Sequence, residues 1–110
     1  MIVSVPFRIG PEPRCWDENR PGPRSFFAAW AATYYALREA KAPYGLPCRV
    51  TVTRIAPRKV APENVAFYAT DLCTGVALWL HADAADPRIT WAYAQRQGGV
   101  REYAAEVEIT

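Results

Sequence analysis

Histidine is nearly missing from this chain, and cysteine is sparse: His81 stands alone, and Cys15, Cys48 and Cys73 contain no CxxC pair. Zinc is held by closely spaced sets of such ligands, so this scatter argues against a structural or catalytic zinc site. A single histidine far in sequence from every cysteine also argues against a Cys/His nucleophilic pair. No apolar run approaches the ~20 residues that span a bilayer. The first residues, MIVSVPFRIG, lack a basic start followed by a long apolar core and therefore read as a strand, not a secretory signal. A cytoplasmic location is expected. Internal repeats and low-complexity tails are lacking as well.

What remains is ordinary globular material: 110 residues, 51% hydrophobic and 22% charged. That length suits one domain, residues 1–110, with a single two-layer core. The net charge of +2 hides a strong asymmetry. Residues 1–60 hold ten Lys/Arg against four Asp/Glu, whereas residues 61–110 hold three against seven. A basic half joined to an acidic half suits a polyanion-binding surface beside an acidic or metal-binding one, although an unevenly charged solvated surface looks the same.

Val3, Val5, Phe7 and Ile9 alternate with polar residues or proline and predict a first strand, with Pro6 marking an edge or a bulge. The stretch GPEPRCWDENRPGPR (residues 10–24) holds four prolines and fits no regular element. Its Arg14, Arg20 and Arg24, with Trp16 and Asn19, are candidates for gripping phosphates and stacking on bases. Ser25 is placed to cap a helix running to about Lys41, with Phe26, Phe27, Trp30, Tyr34 and Leu37 as its core face. The β-branched CRVTVTRI (48–55) predicts a strand.

Pro62 then opens a second helix with Glu63 in its first turn. Its apolar face runs Val65, Tyr68/Ala69, Leu72, Val76 and Trp79/Leu80. Gly75 weakens it by roughly 1 kcal/mol relative to alanine. After HADAADP, alternation over Ile89–Tyr93 and again over Tyr103–Ile109, around Gln97-Gly98-Gly99, predicts an antiparallel hairpin. The expected fold class is α+β: a two-layer β-α-β-α-β-β sandwich, a mixed sheet with two helices on one face.

VTVTRIAPRKVAPENV, the helix ending GVALWL, DPRITWAYAQRQGG and the closing REYAAEVEI together resemble the RusA family of Holliday-junction endonucleases, especially its short phage and prophage members. The similarity covers most of the chain and is strongest from Arg49 to Thr110; the first 24 residues match only as a strand and a basic loop. The resemblance implies a dimeric, Mg²⁺-dependent enzyme that binds four-way DNA junctions and nicks them in recombination and repair. Family members carry two acids one residue apart, followed by asparagine, at the start of the second helix. A lysine lies one or two turns later, and an Asp-Asp pair follows the helix. Carboxylates hold the metal, the metal activates water, and the lysine neutralises developing charge.

Here the first acid falls on Ala61 and the second on Glu63, with Asn64 kept. The lysine position falls on Phe67 or Thr70, and the Asp pair on Asp83 and Ala84. Glu63 and Asp83 are therefore the candidate catalytic and metal-binding residues. Asp71 lies about 80° around a continuous helix from Glu63, and Asp86 reads as ordering the turn at Pro87. The replaced positions are those of chemistry and not of fold. The expectation is a RusA-like protein that binds branched DNA through Arg14, Arg20, Arg24, Arg58 and Lys59, with Arg88 a further candidate, and cuts poorly or not at all. One alternative is an active nuclease with a Mg²⁺ site rebuilt around Glu63 and Asp83. Another is a protein–protein module that does not bind DNA.

Overall fold

A computed structural model describes residues 2–5, 9 and 23–110 of the chain, with side chains from Trp30 onward in the last stretch. Residues 6–8 of the expected first strand and the Pro-rich stretch 10–22, with Arg14 and Arg20, lie outside the described residues. Arg24 belongs to the first helix, but its side chain is outside them too.

The order is β1 (Ile2–Val5), α1 (Pro23–Glu39), β2 (Cys48–Ala56), α2 (Pro62–Tyr68), α3 (Thr70–Trp79), β3 (Ile89–Gln97) and β4 (Ala104–Ile109). This is an α+β domain with a four-stranded mixed sheet and three helices. The strands lie in the order β1-β4-β2-β3. β2 pairs in parallel with β3 and antiparallel with β4, and β4 pairs antiparallel with β1.

One face of the sheet carries Val3, Val5, Val50, Val52, Ala105, Val107 and Ile109, all buried. Leu37 from α1, and Leu72, Val76 and Leu80 from α3 and its end, join them in one core. The helices therefore cover that face. The other face presents Thr51, Thr53, Thr90, Ala92 and Ala94, and an Arg96–Glu106 ion pair of 2.7 Å spans β2 there. Alternation in the sequence predicted this division correctly, because neighbouring strand residues point to opposite faces.

Three expectations are corrected. The last two strands do not form a hairpin: β4 inserts between β1 and β2, leaving β3 at the edge. β4 gains two ladders in that place, and alternation identifies a buried face without saying which strand lies beside it. The second correction is the helix over 62–80, which breaks at Ala69 (φ −90°, ψ 4°). The Thr70 hydroxyl donates to the Phe67 carbonyl at 2.8 Å, a local side-chain bond that competes with the helical ladder. The break separates a short α2 that packs on β3 from an α3 that packs on α1. Two expected helices thus become three. Finally, α1 starts at Pro23 and not after Ser25; proline suits a first helical position because its absent N–H has no partner to lose there.

Gly75 also has a second role. A Cβ at this position would lie 2.5 Å from the Trp30 carbonyl oxygen and 2.9 Å from Thr33 Cβ. The glycine lets α1 and α3 approach this closely, which outweighs its poor helix propensity.

Candidate functional site

Register places Ile89, Trp91, Tyr93 and Gln95 opposite Cys48, Val50, Val52 and Arg54 of β2. Paired residues share a face, so these β3 side chains point into the helical layer. Three of them hold the segments that the sequence singled out.

Gln95 grips the loop before α2. Its Oε1 accepts from Val60 N–H at 2.9 Å and its Nε2 donates to the Val60 carbonyl at 2.8 Å. Trp91 holds the loop after α3, donating from Nε1 to the Ala84 carbonyl at 3.0 Å. Between them Tyr93 Oη lies 3.7 Å from Cys73 Sγ on α3. Burial pushes the Cys73 thiol up to about 11 and the Tyr93 phenol upward as well. Both groups are neutral at ordinary pH and serve as packing.

Among the described residues Arg54 is the buried charge, 5% exposed. Its Nε donates to the Ile9 carbonyl, and its Nη1 donates to the Arg58 carbonyl at 2.6 Å, with a long contact to Gln95 Oε1 at 3.4 Å. A guanidinium offers five donors in a rigid fork, so it can satisfy several carbonyls at once. The main chain of 58–60 is thereby fixed from two sides, while the Arg58 and Lys59 side chains stay exposed.

Glu63 is exposed in the first turn of α2, two residues after the exposed Ala61. Asp83 is exposed in the loop after α3, and its Oδ1 accepts from Ala85 N–H at 2.9 Å. The two carboxylates thus lie beside segments tied to one strand, Val60 before α2 and Ala84 after α3, at anchors four residues apart, on the order of 13 Å along β3. Among the described residues no three His, Cys, Asp or Glu form a group suited to a metal ion. Phe67 and Thr70, the positions where the resemblance implies a lysine, are both exposed, Phe67 strongly so at 74%.

The neighbouring acids have other roles. Asp86 accepts from Arg88 N–H at 2.9 Å and from its guanidinium at 2.8 Å, as expected of a residue ordering that turn. These bonds pull the Asp86 carboxyl down to about 2. Arg88, a candidate phosphate contact, is therefore paired within its own turn. Asp71 opens α3, so its placement relative to Glu63 on one continuous helix no longer holds. Its carboxyl is raised by partial burial. His81 ends α3 with φ 56° and is exposed.

Sequence reasoning passed over Arg54, Trp91 and Gln95. A signal for Arg54 was present: it continues the inward parity of Cys48, Val50 and Val52, where a charge needs partners. Compared with models of known protein families and with curated proteins, the chain finds no match.

Proposed function

We propose that this chain is a RusA-like protein that binds branched DNA, four-way junctions in particular. On this reading it derives from a Mg²⁺-dependent, structure-selective endonuclease whose cleavage is impaired or lost. The observation that carries the reading is the rigid presentation of Arg58 and Lys59. Their main chain is fixed by Arg54 and Gln95, while their charges face solvent directly ahead of α2. Cations on an ordered loop neutralise phosphates without first losing loop entropy. The α+β architecture, with a basic connection between β2 and α2, is compatible with this reading. A homodimer would offer two such loops to a two-fold-symmetric junction.

Loss of cleavage follows from the donor count. Mg²⁺ demands near-octahedral oxygen coordination, and the family positions retain only Glu63 and Asp83. Ala61, Ala84, Phe67 and Thr70 supply neither carboxylate nor ammonium. These residues do not fit a closed magnesium site.

The test is a labelled four-way junction against its matched linear duplex, with and without Mg²⁺. Salt-sensitive junction binding without nicks is expected. Metal-dependent paired nicks that vanish in Glu63→Gln would instead assign a rebuilt nuclease site to Glu63 and Asp83. If the junction is neither bound nor cut, the reading fails.

A further inference from the structure

The outer edge of β3 carries an inference that goes beyond the DNA reading, although it shares Lys59 with it. β3 is nine residues long, and among the described residues no strand lies on its outer side. Cys48 N–H donates to the Arg88 carbonyl at 3.0 Å, and Gly98 N–H donates to the Ala56 carbonyl at 2.8 Å. In a parallel ladder, alternate residues turn their main-chain groups to one neighbour. The even-numbered residues of β3 therefore face β2, and Trp91, Tyr93 and Gln95 direct their N–H and C=O outward.

A groove of about 460 Å³ runs along this edge, lined by Lys59, Val60, Pro62, Val65 and by Tyr93, Ala94 and Gln95. Three consecutive strand residues cannot reach one groove through side chains, because these alternate between faces. What they share is the strand edge, so main chain forms one wall. The start of α2 and its preceding loop form the other. Among the described residues Lys59 supplies a cation with no ion pair, and none of the lining residues is a carboxylate.

We propose that this groove is a β-augmentation site that takes an extended, acidic segment of a partner protein. Main-chain bonds to Tyr93 and Gln95 give the affinity, and Lys59 selects for a carboxylate. The edge carries no proline between Ile89 and Gln97 to block pairing.

The probe is a capped synthetic octapeptide of alternating valine and glutamate, titrated into the isotope-labelled chain and followed by backbone amide NMR. Shifts should centre on Tyr93, Gln95 and Val60. Two further peptides are N-methylated, one on the odd and one on the even residues. Only one of them should lose binding, because a strand presents alternate amides to each side. Lys59→Ala should weaken the glutamate peptide about threefold, the size of an exposed ion pair, and leave a serine-for-glutamate version unchanged. Equal binding by both methylated peptides, or shifts away from β3, would overturn the proposal. So would stronger displacement of the same amides by a thymidine oligonucleotide, which would hand the groove to nucleic acid. Concentration-dependent protection of the Tyr93 and Gln95 amides in the free protein would hand it to a second copy.

Discussion

The side-chain amide of Gln95 closes two hydrogen bonds with the main chain of one residue, accepting from Val60 N–H at 2.9 Å and donating to the Val60 carbonyl at 2.8 Å. A strand residue thus stands in for a neighbouring strand, and the loop carrying Arg58 and Lys59 is locked to the sheet by side chain alone. Gln95→Glu keeps the acceptor and loses the donor, leaving the Val60 carbonyl facing a carboxylate. The expected loss is roughly 1–3 kcal/mol, read by urea denaturation. Faster hydrogen exchange at Val60 N–H should accompany it, and unchanged exchange would show that the loop is held some other way.

Gly75 offers a test in which two effects oppose each other. Alanine in a helix interior is favoured over glycine by about 1 kcal/mol. Here the added methyl would meet the Trp30 carbonyl at 2.5 Å, and backbone cannot swing aside as a flexible side chain would. Overpacking typically costs about 1–3 kcal/mol, so Gly75→Ala should lower the thermal midpoint. A raised midpoint would mean that α1 and α3 can separate freely.

The Asp86–Arg88 pair sets a pH window. The Asp86 carboxyl titrates at about 2 in the fold against 3.8 ordinarily. A carboxyl lowered by folding contributes stability above its unfolded value and loses it as pH falls through the folded one. The difference in melting temperature between wild type and Asp86→Asn should therefore be constant above about pH 5 and shrink from there towards pH 2. A difference that persists at pH 2 would assign it to geometry rather than charge.

If the exposed cations of the 58–59 loop contact phosphates, each removal should flatten the salt dependence of junction binding. Arg58→Ala and Lys59→Ala are each expected to reduce the slope of log affinity against log salt by about one. Melting curves should stay unchanged, because neither side chain is buried. An unaltered slope in both variants would remove the loop from the DNA contact.

Much of the fold was legible in the residues themselves. Alternation marked which strand face is buried, and the β-branched run at 48–55 located the central strand nearly to its ends. Steps of three and four found the helical faces, including Val65, Leu72 and Val76, all buried. Local periodicity has this power because burial repeats with the geometry of each element. Glu63 at a helix start and Asp83 in a loop were placed correctly for the same reason.

Strand adjacency, the break at Ala69 and the partners of Arg54 and Gln95 were decided only in three dimensions. An edge strand and a hairpin strand share one alternation, so the position of β4 depends on which ladders the whole chain can satisfy at once. The break at Ala69 reflects two packing demands, α2 on β3 and α3 on α1, that one straight helix cannot meet. Gln95 lies 35 residues from Val60 and Arg54 lies 45 from Ile9. Sequence alone determined the elements and the faces they bury; tertiary structure decided their neighbours, because hydrogen-bond partners at such separations follow from topology and not from local preference.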